Sequence, residues 1–279
     1  MRTKASEYPD LISNFSDGNV YGSIFAGDAV DFLRSLKSGT ATIVFLDPPF
    51  NLGKEYLSGA RSLDRKPEHI YRTWLFRVLR ESTRVLSPGG ALYLYHLPRW
   101  AMQLGSFLDG AGKLTFRHWI AISMKNGFVR GDRLYPAHYG LLMYTKGKPA
   151  VFSRPKLKPV KCRHCKKYIK DYGGYRAIIE EKGINLSDVW DDLSPVRHAN
   201  RKTRSANELP RALFARMIEI SGAKGGLYVD PFVGSGTGAI VAAKAGLNFA
   251  ACDLLTENCR LVAERLEQQR SVSHVCSKC

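Results

Sequence analysis

Leu227–Gly238 reads LYVDPFVGSGTG, and its reading decides the fold. Leu227–Val229 is a short apolar strand, Asp230–Gly236 a glycine-rich turn, and Thr237–Ala245 the helix that follows. A strand running through such a turn into a helix places a ligand outside the strand's carboxyl end. Gly234 and Gly236 let the backbone approach that ligand closely and take angles that a β-carbon forbids. The next strand, Asn248–Cys252, leads into Asp253, whose carboxylate can accept both hydroxyls of a ribose. The spacing is not G-x-G-x-x-G, which counts against a dinucleotide. A tight turn that merely needs small residues explains the same letters.

Outward from this stretch, strand-like and helix-like segments alternate, the pattern of an α/β fold with a mostly parallel sheet. Ala41–Leu46 is a buried-strand run that stops at Asp47-Pro48-Pro49. Glu68–Leu86 is helical, with Ile70, Trp74, Val78 and Val85 on one stripe, and Ser87-Pro88-Gly89-Gly90 is read as the turn that ends it. Ala91–Tyr95, Phe116–Met124 and Gly140–Tyr144 read as strands, Leu209–Ile220 as a helix, and Thr256–Gln269 as the last helix. Between Val151 and about Asn200 the alternation dissolves. The expected organisation is a core half at 1–150, a basic insertion at 151–200, a second core half at 201–270 and a tail at 271–279.

Charge narrows the partner. The 279 residues carry 42 Lys and Arg against 25 Asp and Glu, a net +17, which points to a polyanion. The cations cluster at Arg154–Lys170 and Arg197–Arg204, with Tyr168, Tyr172 and Tyr175 at or after the first cluster. Arg163, Lys166, Lys167, Lys170, Arg201, Lys202 and Arg204 are the candidate contacts to DNA. Neither run forms an amphipathic helix with a clean apolar face, so a membrane surface is the weaker partner. The longest apolar runs are strand-sized, below the ~18 residues that signal a membrane span. The N-terminal MRTKASEYPD lacks the apolar stretch of a secretory signal, and the cytoplasm is the expected compartment.

Asp47-Pro48-Pro49-Phe50 carries the sharpest chemistry. Pro-Pro cannot continue a sheet, so a strand-ending turn is the plain reading. The exocyclic amine of adenine or cytosine supplies a further one. Its lone pair is delocalised into the ring, so the nitrogen is a poor nucleophile. A carboxylate (Asp47) and a proline-locked carbonyl (Pro48) can accept its two N–H bonds and favour a tetrahedral nitrogen. Phe50 offers a face on which an unstacked base can lie.

With both motifs in view, the chain resembles the DNA amino-methyltransferases. DPPFNLGKEY resembles their catalytic motif and VDPFVGSGTG their cofactor motif; the order, with a basic region between, is similar to the beta class. Gly27-Asp28 and His138–Lys148 also resemble family segments. The resemblance implies a Rossmann-like, seven-stranded, mostly parallel methyltransferase sheet with an inserted target-recognition region, and S-adenosylmethionine as cofactor. It implies that Asp230, Phe232, Gly234, Gly236, Thr237 and Asp253 bind cofactor, while Asp47, Pro48, Pro49 and Phe50 handle the base. Asp47 favours adenine N6 over cytosine N4 by the family's motif pattern. Double-stranded DNA is then the partner, with a cognate restriction endonuclease beside it and a monomer or homodimer as the assembly. In the segment Ser205–Pro210 the family often shows H-P-T-Q-K-P; Leu209 stands in place of that lysine and receives no cofactor role.

Four of the six cysteines form two C-x-x-C pairs, Cys162/Cys165 and Cys276/Cys279. That is ligand spacing for one shared structural zinc, the alternative being unligated thiols. Cys252 and Cys259 read as small core residues. Three other functions stay open. A nucleotide-cofactor oxidoreductase would use only the glycine turn and Asp253. A silent nucleic-acid-binding subunit would leave Asp47 without a task. Related turns also serve RNA and protein-glutamine methyltransferases.

Overall fold

The structure, a computed structural model, describes residues 9–52, 66–123, 131–132, 134, 136–162, 164–168, 172–193 and 208–276, with side chains except those of Tyr172 and 271–276. In chain order, β1 (Asp10–Asp17) and β2 (Val20–Ala26) form an antiparallel hairpin, followed by α1 (Ala29–Ser35), β3 (Ala41–Leu46), α2 (Glu68–Val85) and β4 (Leu86–His96). Then come α3 (Pro98–Asp109), β5 (Thr115–Ser123), β6 (His138–Thr145), β7 (Lys156–Leu157), α4 (Arg176–Lys182), β8 (Ile184–Asn185) and β9 (Val189–Trp190). The chain finishes with α5 (Arg211–Ser221), β10 (Leu227–Asp230), α6 (Thr237–Lys244), β11 (Asn248–Asp253) and α7 (Thr256–Cys276).

Nine strands make one sheet in the order β1-β2-β11-β10-β3-β4-β6-β5-β9, where seven were expected. The class is the expected one: β2, β11, β10, β3 and β4 are mutually parallel, and β6 is the antiparallel intruder. The additions sit at the edges. β1 folds back on β2 through a turn containing Gly18 at φ +57°, and only Phe15 of β1 is buried, so its apolar pattern was too thin to read. β9 adds two residues beside β5, driven by Trp190, which is 1% exposed.

Helices cover both faces. β3 is buried in five of its six residues, which is why it reads as a continuous apolar run. Phe32, Leu75, Leu79 and Leu104, from α1, α2 and α3, pack on Val44, Leu92 and Leu142 on one face. Leu213, Met217, Ile240, Val262 and Leu266, from α5, α6 and α7, pack on Ile43, Tyr93 and Phe249 on the other. Each such fully buried aliphatic side chain contributes about 1.5–3 kcal/mol.

Three local expectations are corrected. The buried stripe of α2 is Tyr71, Leu75, Val78, Leu79, Ser82 and Val85, while Ile70 is 49% exposed. Ser87–Gly90 is no turn: it is absorbed into β4, with a register shift opposite Ala41 and Ile43. Gly89 has φ +74°, and a β-carbon at Gly90 would come within 2.9 Å of the Ala41 carbonyl, so the glycines permit a bulge rather than a stop. The last helix runs past Gln269 to Cys276. The chain also rejoins the sheet at β9, inside the segment read as an insertion. There the Arg216 guanidinium on α5 pairs with both Asp192 oxygens at 3.0 and 2.6 Å and lies 4.8 Å from the Trp190 ring centre.

Candidate active site

The parallel strands β3, β4, β10 and β11 end along one edge of the sheet. From β10 the chain passes outward to its neighbour β11; from β3 it passes the opposite way to β4. The carboxyl ends of β3 and β10 therefore flank the crevice at a topological switch point, where open α/β sheets bind their ligands. Both motifs stand there.

On the β10 side, Gly234 (φ +52°) and Gly236 (φ +79°) take left-handed backbone, which only glycine adopts freely. A β-carbon on Gly236 would lie 2.6 Å from Val262 Cγ2, so α7 presses directly on the turn. Arg265 of α7 donates to the Ser235 carbonyl. Asp230 is 2% exposed; it accepts from the Phe232 N–H at 3.0 Å and the Tyr228 hydroxyl at 3.1 Å. Burial pushes its carboxyl up to about 7, and the nearby Asp47 and Asp253 charges push the same way, against those two hydrogen bonds. Asp253 is less free than the sequence suggested. Its Oδ2 accepts from Gly234 N–H and its Oδ1 from Leu255 N–H and the Asn258 amide, all at 3.0 Å. It braces the turn while one carboxylate lone pair is left over. Thr237, 6% exposed, begins α6 with its hydroxyl 3.2 Å from that of Ser235. Phe232 meets Trp74 edge-on at 5.8 Å, and the Trp74 indole N–H reaches Asp28, the N-cap of α1, at 3.4 Å.

On the β3 side, Asp47 is half-buried, and its charge is felt by Tyr95, Tyr139, Tyr228 and Asp230 alike, which brings the two motifs into one electrostatic neighbourhood. The phenols of Tyr95 and Tyr139 are raised above their ordinary value, by burial first and Asp47 second, so both stay protonated. Phe50 stacks on the His96 ring at 4.8 Å and 22°, with Tyr95 and Tyr139 tilted against it at 6.1 and 5.8 Å.

His96, fully buried, was not foreseen. Burial lowers its pKa to about 3, so the ring is neutral. Its Nδ1 accepts from the Leu97 N–H at 2.8 Å, which leaves the proton on Nε2. Nε2 donates to the Tyr71 hydroxyl at 2.8 Å, and that hydroxyl donates to the Pro49 carbonyl at 2.5 Å. The chain His96–Tyr71–Pro49 pins the loop from behind. The signal available in the sequence was the position of His96, at the carboxyl end of the strand next to β3.

The other expected residues are placed unevenly. Cys162 and Cys165 lie together on a hairpin, and Lys166 and Lys167 are exposed on it. Cys279, Arg163, Lys170, Arg201, Lys202 and Arg204 fall outside the described residues, as does the side chain of Cys276. The four-thiolate zinc site is thus not brought together, and no group of three or more metal-ligand side chains occurs among the described residues. Cys252 and Cys259 are core residues as expected, 0% exposed. No described helix is long and apolar enough to cross a membrane.

Comparison with known proteins agrees with this geometry. The Type II methyltransferase M.BamHI of Bacillus amyloliquefaciens is 40% identical over 249 residues, 89% of this chain and 57% of that protein. The chain thus spans little more than half the length of that relative. Among solved structures, PvuII DNA methyltransferase (cytosine-N4-specific) superposes with a TM-score of 0.61 at 15% identity, covering 95% of this chain and 93% of that one. A DNA modification methylase of Thermus thermophilus, complexed with S-adenosyl-L-methionine, gives 0.56 at 21%, covering 88% and 94%. At these identities the two structures speak for the fold. The sequence model of the DNA methylases that act at N6 and N4 matches residues 41–264, from the first residue of β3 to beyond the glycine turn and Asp253, and the chain belongs to that family.

Proposed function

We propose that this protein transfers a methyl group from S-adenosylmethionine to the exocyclic amine of a base flipped out of double-stranded DNA, with adenine N6 as the target. The observation that carries the reading is the shared crevice: a proline-locked carboxylate loop ending β3 beside a glycine turn ending β10. The residues fit the cofactor. Two left-handed glycines leave room for close approach, Phe232 and Trp74 offer an aromatic wall, and Asp230 and Asp253 supply acceptors. When bound, S-adenosylmethionine supplies an electrophilic methyl group on a positively charged sulfur.

The chain's own residues do the rest. With Pro49 O held by Tyr71, the Pro48 carbonyl is the one left to accept an amine N–H beside Asp47. As the N–C bond forms, the nitrogen's surplus proton passes to the Asp47 carboxylate, which is already hydrogen-bonded to it in this reading. Phe50 and Tyr139 cover the extruded base and compensate part of the few kcal/mol lost on unstacking. Exposed Lys156, Lys158, Lys161, Lys166 and Lys167 supply salt-dependent contacts to the DNA backbone.

The acid at Asp47 favours adenine N6 through the family's motif pattern. Cytosine N4 is the second reading, favoured by the PvuII neighbour's stated specificity. The Type II naming of the Bacillus relative supports a restriction-modification setting. Incubating the protein with genomic DNA and S-adenosylmethionine, then digesting to nucleosides, decides between the bases. N6-methyladenine supports the reading; N4-methylcytosine moves the target while keeping the chemistry, and methylation at carbon 5 overturns it.

A further inference from the structure

Residues 161–168, KCRHCKKY, fold into a small hairpin that the methyl-transfer site does not use. Lys161 and Tyr168 close it as an antiparallel bridge. Inside it the Cys162 N–H donates to the Lys167 carbonyl at 2.7 Å, and the Lys166 N–H to the Cys162 carbonyl at 3.0 Å. Lys166 sits at φ +57°, left-handed backbone that costs a lysine energy and tightens the turn just after the second cysteine. The backbone N–H groups of His164 and Cys165 point at the Cys162 sulfur, and the Cys165 thiol lies within hydrogen-bonding reach of it. Two sulfurs on one face of a tight hairpin, with amides turned toward the first, form a ready cradle for negative sulfur. A reduced surface loop without a ligand has no need of that arrangement.

Two sulfurs are half of a tetrahedral set. Cys252 and Cys259 are unavailable: both are fully buried in the core, with their thiols directed at the Gly27 and Phe25 carbonyls. The remaining pair is Cys276/Cys279, with the same C-x-x-C spacing, beginning at the last residue of α7. We propose that the Lys161–Tyr168 hairpin is one knuckle of a structural tetrathiolate zinc site whose second pair is Cys276 and Cys279. Binding expels the thiol protons to solvent, with no redox step. α7 packs against β1, β2 and β11, whereas the hairpin belongs to the segment that joins β9 at the opposite edge. The second pair therefore comes either from this chain's own tail or from that of a second copy; the ligand chemistry is the same.

The metal has a mechanical task. Lys161 lies 4.5 Å and Arg176 5.0 Å from the Tyr168 ring, so the hairpin gathers cations around one aromatic post. Zinc fixes that cluster as a unit. This part rests on the DNA reading above; the metal site itself does not.

The test is metal analysis of the full-length protein purified without chelators, alongside Cys162→Ser/Cys165→Ser and Cys276→Ser/Cys279→Ser, with S-adenosylmethionine binding as the control for a folded core. The expected result is about one zinc per chain in the unaltered protein and near none in either double variant. Cobalt substitution should give tetrahedral thiolate absorption bands, and solution mass tells whether one copy or two supply the pairs. A metal-free protein with freely reacting Cys162 and Cys165 would overturn the proposal, as would a disulfide between them. Zinc kept at full level by either double variant overturns its ligand set.

Discussion

Asp230 offers a test in which stability and function pull apart. Its carboxyl is 2% exposed, and burial lifts it from 3.8 to about 7. The sign follows from linkage. Below pH ~4 the acid is neutral in both folded and unfolded chains and costs nothing. Between pH 4 and 7 only the unfolded chain ionises, so the folded state loses ~1.4 kcal/mol per pH unit. The loss reaches at most about 4 kcal/mol near pH 7 and is flat above it. Asn mimics the neutral acid: its carbonyl can accept the Phe232 N–H and its amide can donate to the Tyr228 hydroxyl. Asp230→Asn should therefore leave stability nearly unchanged at pH 4 and raise it by up to ~4 kcal/mol at pH 8 without cofactor. Urea unfolding across that range is the assay. A cationic cofactor beside Asp230 favours the ionised acid, so S-adenosylmethionine affinity should rise toward pH 7 by up to about tenfold per unit, and lose that slope in Asp230→Asn. A variant no more stable than the parent at pH 8, or an advantage that shrinks as pH rises, would refute the electrostatic reasoning.

Three further outcomes are expected. Tyr71→Phe leaves the buried His96 Nε2–H and the Pro49 carbonyl unpartnered, costing about 1–3 kcal/mol of stability. It should lower kcat about tenfold with cofactor affinity kept; unchanged kcat would show that the brace does not position the loop. Gly236→Ala combines φ +79° with a β-carbon 2.6 Å from Val262, so it should cost at least ~2 kcal/mol and cofactor affinity together, read by thermal melts and calorimetry. Trp190→Ala empties the site that Arg216 and Asp192 close, and should cost roughly 3–5 kcal/mol while exposing residues 151–193 to proteolysis before the core.

What could be read from the sequence follows from how local its cause is. β3 and β10 were legible because buried parallel strands are continuous apolar runs cut off by Pro or Gly, and the same cut marks the site. Leu213, Phe214, Met217 and Ile218 of α5 were placed correctly because one helix face meets one sheet face. The α2 face was misphased because Tyr71, Leu75 and Leu79 compete with Ile70 and Trp74 at nearly the same period, and only the neighbours α1 and α3 choose between them. β1 escaped because an edge strand with one buried side chain has almost no pattern. Within the site, Asp47, Phe50, Asp230 and the glycines were visible as motifs. Tyr71, His96 and Tyr139 were not assigned, since each arrives from a different element. Asp253 shows the opposite error: a motif acid read as a free ribose acceptor spends three hydrogen bonds bracing its own loop.

The central claim is that Asp47 and its proline-locked loop present a DNA amine to a methyl donor held at the β10 turn. It is tested most directly by methyl transfer from labelled S-adenosylmethionine, with double-stranded DNA, RNA and protein offered separately to the parent and to Asp47→Ala. Label should enter the exocyclic amine of a base in DNA alone. Asp47→Ala should lose on the order of a hundredfold or more in kcat while binding cofactor normally. Label in RNA or protein instead of DNA, or near-parental turnover by Asp47→Ala, would contradict the claim.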